Sequence, residues 1–513
     1  MLKKDALKNS ALTLGLVAIL LFSGFVYFYN LGEESLTTDE YFSLYSAQLP
    51  WHKIIFGHQK EYDPNTLPPL YHLIMHFWLK VFGSGEYAQR SFSAILGVLS
   101  VWMLYALTRL LIDRRTAVLS ALFGAFSFSW FYLFRSNRCY GLFIFLTLLS
   151  FYIFYYYLKN KKSRVAPWVF MLTNISLLYT HYFSFFIIAL ELIFTALEWE
   201  NDKEWAENVF IMSAWVFITY VPWYDNLFYD INREPALNKE IPHFGWGAKI
   251  HMSTIALFSD FHCPWQPFLT IIYLPFVFAG YKKLLANKST FARHLPLYLV
   301  LTLSIPFIII YSFTPINRQR YFAPFSFPLI MLLALGISSI GLKRFKKILF
   351  ILLLSSICAV NLMDFYDFFY APLNENWKKA ALYIKQVPDY QNKEMVFAFQ
   401  TLYNPPVFAY YYWGKDAAGL FINNISSRQD YKKVISKLDP KHKVYFWKGI
   451  NAKSVFEKLS PLPDNAWVWI FMYHNKQFPS DFLALNKNRY SFQQIILNPE
   501  LPQIDFYLLK KRK

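Results

Sequence analysis

Residues 140–158 read YGLFIFLTLLSFYIFYYYL, and residues 159–164 read KNKKSR. The first stretch carries no charge. As an α-helix it covers about 28 Å at 1.5 Å per residue, close to the ~30 Å of hydrocarbon in a bilayer. The second stretch is basic, through Lys159, Lys161, Lys162 and Arg164. An uncharged run of this length that stops on a basic cluster is the pattern of a membrane span ending in the cytoplasm.

The pattern repeats along the chain. Apolar runs occupy 11–30, 91–109, 116–134, 140–158, 167–180, 182–197, 207–224, 266–285, 295–313, 321–341 and 347–364. The runs around residue 180 are short and predict a tight helical hairpin. Basic clusters recur at Lys3, Lys4 and Lys8, at Arg109, Arg114 and Arg115, at Lys282, Lys283 and Lys288, and at Lys343, Arg344, Lys346 and Lys347. With about eleven spans all of these share one side, read as cytoplasmic; there only the 198–206 loop is acidic. The opposite side then receives the loops 31–90 and 225–265 and everything after Asp364. The basic N-terminus leads into a run without a small-residue cleavage pattern, so it is read as an uncleaved span.

Composition agrees. The 513 residues are 55% hydrophobic, 21% aromatic and only 16% charged, against about 25% charged in soluble domains. The net charge of +18 lies in short clusters between apolar runs. A nucleic-acid binder would instead gather it on one face or in a tail. Cys139, Cys263 and Cys358 are sparse and have no metal spacing, so they are read as packing residues. The tail 365–513 changes character. Trp377–Val387 has helical spacing, while Met395–Phe399, Val444–Trp447 and Ala466–Met472 read as strands, which predicts a small extracytoplasmic α/β domain.

Several residues on the non-cytoplasmic side carry possible chemistry. Asp39 and Glu40 form an acidic pair just after the first span. Two readings stand: a solvated helix start capped by Thr38 or Asp39, or a general base or cation site. His72 and His76 share a helical face, too few ligands for a metal site. Arg90, Arg135, Arg138, Arg318 and Arg320 sit outside against the usual bias. Some suit interfacial anchoring. Arg138 and Arg320 best suit a phosphate, because a guanidinium stays charged and bonds two oxygens at once. His181 lies at the turn of the hairpin as a polar cap or a donor.

These segments in this order resemble the GT-C glycosyltransferases, in particular the group of protein O-mannosyltransferases and the lipid A aminoarabinose transferase. The resemblance rests on Asp39–Glu40, on Pro68-Pro69-Leu70-Tyr71 with Trp78 to Gly83, and on Ala88-Gln89-Arg90-Ser91. It continues with Arg138-Cys139-Tyr140, Tyr179-Thr180-His181-Tyr182 and Arg320-Tyr321, and Asn376 to Ala381 resembles the start of the periplasmic domain. Leu67 stands where many relatives have His or a charge, and Ser136 and Asn137 stand where many have an acid, which leaves Asp63 as a stand-in carboxylate.

The resemblance implies a polytopic α-helical GT-C-like domain over 1–364, with an α/β domain over 365–513. It implies transfer of a sugar from a polyprenyl-phosphate donor to an extracytoplasmic glycolipid, polysaccharide or protein, with inversion. Asp39, Glu40 and Asp63 are then the catalytic candidates. Arg90, Arg138, Arg320 and Tyr321 are the phosphate ligands, and Tyr71, Tyr140 and His181 the other substrate contacts. No metal ligand is assigned, and a divalent cation is the one cofactor considered. The partners are the donor, the acceptor and membrane lipid, with no nucleic acid, in an inner (plasma) membrane. A lipid-glycan transporter or flippase is the alternative, and a scaffold presenting the tail is a second.

Overall fold

The computed structural model describes residues 2–56, 67–237, 266–286, 294–313, 319–339, 377–387, 395–399, 404–414, 444–448, 467–473, 490–495 and 504–511, with isolated helical residues at 359–369 and 453–485. Asp63, Arg318, Cys263, Cys358 and nearly all of the last apolar run lie outside them. The chain divides into two compact units. One contains the described residues of Met1–Leu31, Trp51–Phe56 and Thr66–Tyr366; the other contains those of Gly32–Pro50 and Asp367–Lys513.

Among its described residues the first unit is helical, with no strand. Its elements are α1 (Leu2–Phe28), α3 (Trp51–Phe56), α4 (Leu70–Phe82), α5 (Glu86–Leu111), α6 (Arg114–Ala125), α7 (Phe128–Phe134), α8 (Tyr140–Lys159), α9 (Ala166–Leu178), α10 (Ser184–Leu197), α11 (Lys203–Tyr220), α12 (Tyr224–Leu237), α13 (Gln266–Leu285), α14 (Leu295–Phe313) and α15 (Phe327–Ser338). Helices cover ten of the apolar runs among the described residues, and the eleventh lies almost wholly outside them. Among the described residues, α1, α5 and α8 are each long and apolar enough to cross a membrane, and α6 with α7 makes a fourth if a 62° bend is allowed. The bend falls at Phe126–Ser127, where the Ser127 hydroxyl accepts the Trp130 N–H and starts a new helix.

Lipid-facing surfaces explain the composition. Leu14, Val17, Leu21 and Phe25 of α1 are exposed at helical spacing, as are Ile211, Trp215 and Ile218 of α11. In a soluble protein such stripes would be buried. Where helices meet, small residues allow close approach. A Cβ at Gly280 in α13 would overlap the carbonyl oxygen of Leu332, and one at Gly336 in α15 that of Phe276. The two backbones therefore touch directly, the mode of contact favoured between helices in lipid. At one end of the bundle the acidic 198–206 loop meets its basic neighbours. Lys161 pairs with Asp202, which also caps α11 through the Trp205 N–H.

The second unit has α2 (Thr38–Gln48), α16 (Trp377–Gln386), α17 (Asn404–Tyr412) and strands β1 (Met395–Phe399), β2 (Val444–Lys448), β3 (Trp467–Tyr473), β4 (Tyr490–Ile495) and β5 (Ile504–Lys511). The strand order is β2-β1-β3-β5-β4. The β1 strand pairs in parallel with β2 and β3, while β5 is antiparallel to β3 and β4. Every residue of β1 is buried, as expected of a central parallel strand covered on both faces. Trp377, Ala380, Ala381 and Ile384 form the buried stripe of α16, and Phe399 stacks on Phe471 at 4.7 Å. In this unit the Leu36 N–H donates to the Tyr411 hydroxyl at 2.7 Å, and Tyr41 packs against Tyr410.

Candidate functional site

Three stretches of the helical unit converge on Tyr140, the first residue of α8. The Arg138 guanidinium lies 6.0 Å from its ring and the Arg320 guanidinium 5.5 Å. Both are within cation–π range. His181 lies 5.6 Å and Tyr321 6.2 Å from the same ring, and His181 is 6.2 Å from Tyr321. Five residues named from sequence thus form one cluster: Arg138, Tyr140, His181, Arg320 and Tyr321.

Local structure fixes each of them. Arg320 and Tyr321 belong to a 3₁₀ turn, Gln319–Tyr321, followed by a second at Ala323–Phe325. The buried indole of Trp130 donates to the Ala323 carbonyl at 3.2 Å and the Ser326 hydroxyl at 3.1 Å, tying these turns to α7. His181 stands in the turn between α9 and α10 and stacks on Phe143 at 5.0 Å. Its Nδ1 accepts the Phe183 N–H at 3.1 Å, which leaves Nε2 to carry the proton of the neutral ring. Burial first, then the charges of Arg138 and Arg320, push the His181 pKa down to about 3. The ring is therefore a neutral donor beside two cations.

The remaining arginines separate by function. Arg135 donates to the carbonyl oxygens of Val26 (3.0 Å), Tyr27 (3.2 Å) and Tyr29 (2.6 Å). Arg90 is buried and donates to Leu31 O at 3.1 Å. Both satisfy carbonyls at and just beyond the end of α1, which a helix leaves without internal partners. The structure thus gives Arg90 a helix-end bond beyond its expected phosphate role. Tyr71 likewise donates its hydroxyl to Asn137 Oδ1 at 2.8 Å, and Asn137 donates to Gln89 at 3.0 Å. Sequence reading missed this relay of Tyr71, Asn137 and Gln89. Asn137 appeared there only as a departure from a motif.

The acidic pair belongs to the other unit. The N-cap of α2 is Thr37, one residue before the expected Thr38 and two before Asp39. Thr37 accepts the Glu40 N–H at 3.2 Å, and the Glu40 carboxylate accepts the Thr37 N–H at 2.9 Å. This capping box satisfies two orphan donors reciprocally and gives Glu40 a structural task. Asp39 follows Thr38 in the first turn and is half-buried. Among the described residues no three His, Cys, Asp or Glu side chains converge as a metal site.

Comparison with known proteins adds to this geometry. Residues 66–224 match the family model of dolichyl-phosphate-mannose-protein mannosyltransferase. That segment includes Tyr71, Arg138, Tyr140 and His181. An uncharacterized protein of Aquifex aeolicus is 29% identical over 164 residues, a match spanning 29% of this chain and 32% of that protein. The chain thus aligns with about a third of that relative's length. Among solved structures, the Archaeoglobus fulgidus oligosaccharyltransferase AglB, in complex with an inhibitory peptide and a dolichol-phosphate, superposes with a TM-score of 0.56 and 15% identity, over 95% of this chain and 73% of its own. ArnT from Cupriavidus metallidurans bound to undecaprenyl phosphate does so with a TM-score of 0.53 and 14% identity, over 96% of this chain and 97% of its own. The chain is a membrane protein that shares the GT-C fold of these structures, and its residues 66–224 are similar to the mannosyltransferase family model.

Proposed function

We propose that this protein transfers a sugar from a polyprenyl-phosphate carrier to an acceptor on the extracytoplasmic side of an inner or plasma membrane. The observation that carries the reading is the pair of guanidiniums, Arg138 and Arg320, set about Tyr140 with the neutral His181 beside them. Two fixed cations and a neutral donor suit a phosphate monoester leaving group, whose charge grows as the sugar departs. Such a leaving group is a weak base, so protonation by an acid is scarcely required.

The acceptor hydroxyl does need a base. Asp39 is assigned that role, since the Glu40 carboxylate serves the capping box. The acceptor proton passes to Asp39, the acceptor oxygen bonds to the anomeric carbon, and the carbon–oxygen bond to phosphate breaks with its electron pair on the lipid phosphate. Displacement in one step inverts the anomeric centre. Asp63 is the alternative carboxylate. The lipid phosphates held by the similar AglB and ArnT structures support the donor class. The Lys/Arg asymmetry of the loops supports the orientation.

The test is transfer from purified undecaprenyl-phosphate sugars to cell-envelope acceptors in nanodiscs, with glycan mass spectrometry of cells with and without the gene to name both substrates. Lipid-linked glycan that crosses vesicles without any glycosidic bond being made would favour a flippase.

A further inference from the structure

His72 is the third residue of α4 and is 1% exposed. Among the described residues neither of its ring nitrogens has a hydrogen-bond partner. Burying an imidazole this way is worse than burying an apolar ring of the same outline, because both polar atoms lose water and gain nothing. Groups of this kind in a native interior call for a specific explanation.

The neighbours of His72 say where it stands. The Leu70 N–H donates to Tyr179 O at 2.9 Å, in the turn that carries His181. The Tyr71 hydroxyl donates to Asn137, the residue before Arg138. The chain on the N-terminal side of His72 is thus pinned both to the His181 turn and to the Arg138 segment. Arg138 is close enough to act electrostatically on both imidazoles, and it and burial hold the His72 pKa down to about 3. A neutral imidazole offers one donor and one acceptor.

We propose that His72 is a contact residue of the phosphate site, donating one ring N–H to an oxygen of the polyprenyl-phosphate head group that Arg138 holds. The inference rests on the proposed function and adds a second neutral donor beside Arg138. Its partner is a lipid phosphate: a hydrogen bond from a buried neutral donor to an anionic oxygen is among the stronger ones.

The experiment uses the full chain in nanodiscs with ¹⁵N-labelled histidine. The His72 ring signals, identified by their loss in His72→Gln, are followed as undecaprenyl phosphate, undecaprenol or inorganic phosphate is added. A shift with undecaprenyl phosphate and none with undecaprenol is expected. His72→Phe should weaken lipid-phosphate binding about tenfold with an unfolding midpoint no lower than the parent's, and His72→Gln, which keeps an N–H, should recover part of the binding. Should His72→Phe fold poorly, the titration of the unmutated chain decides. Binding that His72→Phe leaves intact while Arg138→Ala abolishes it would overturn the inference and leave the proposed function standing. Unchanged binding in both variants would remove both. An equal response to inorganic phosphate at the same concentration would overturn the lipid as the ligand.

Discussion

The backbone N–H of Leu70 donates to the carbonyl oxygen of Tyr179 at 2.9 Å, across more than a hundred residues of sequence. It joins the start of α4 to the turn that presents His181. Leu70→Pro removes this donor and should lower stability by about 0.5–1.5 kcal/mol, with weaker binding of undecaprenyl phosphate. Leu70→Ala keeps the N–H and should bind nearly as the parent does. Calorimetric unfolding in detergent and lipid-phosphate titration measure the two effects, and equal binding by all three proteins would detach this bond from the site.

Arg138→Ala and Arg320→Ala should each reduce lipid-phosphate affinity on the order of 10–100-fold. Lysine at either position should restore little, since an ammonium cannot present the planar fork that bonds two oxygens. Arg135→Ala serves as the contrast. Its guanidinium caps α1, so it should lower the unfolding temperature more than it alters affinity.

Asp39→Asn should cut transfer by ~10²–10⁴-fold with donor binding little changed, as removal of a general base does. Glu40→Gln keeps an oxygen to accept the Thr37 N–H and should cost far less. Transfer kinetics with a purified donor decide between them. Near-normal turnover in Asp39→Asn would move the role to Asp63.

His72 and His181 both have folded-state pKa values of about 3, against an ordinary 6.5. Between those values the unfolded chain binds more protons than the folded one, so stability rises with pH across that window and levels off above about 6.5. The unfolding midpoint should therefore fall as pH drops from 7 to 5. The His72→Gln/His181→Gln double variant should show a shallower fall, and an equal slope would mean that neither ring is held neutral.

Gly336→Val should destabilise the helical unit by at least ~1–3 kcal/mol through overpacking, because its side chain would meet the Phe276 carbonyl of α13. A change at Gly85, where nothing lies within 4 Å of a Cβ, should be far milder. Detergent thermal scans compare the two.

Helix positions were legible because an uncharged run near 20 residues has one inexpensive conformation in lipid. The bend at Phe126–Ser127 was not, because 116–134 stays apolar throughout and the break comes from one serine hydroxyl capping Trp130. Strands β1, β2 and β3 are dense in Val, Phe and Trp and read directly. By contrast, β4 mixes Ser491, Gln493 and Gln494 into its pattern and escaped. At the site, Arg138, Tyr140, His181, Arg320 and Tyr321 were legible as residue types on one predicted side of the membrane, and they meet. Which arginines cap helix α1 was not, since that depends on where the chain returns 59 and 108 residues later. His72 was read only against a metal site, because sequence does not reveal that a ring lacks partners.

The segment Gly32–Pro50 belongs to the same compact unit as the C-terminal sheet, held there by Leu36 on Tyr411 and Tyr41 on Tyr410. The unit is therefore written in two distant parts of the gene. A chimera that exchanges only residues 367–513 leaves Leu36 and Tyr41 against a foreign helix, whereas one that exchanges both parts carries its own interface with it. Asp39 and Glu40 travel with the C-terminal domain, so grafting that domain onto a related enzyme is also a graft of the acidic pair.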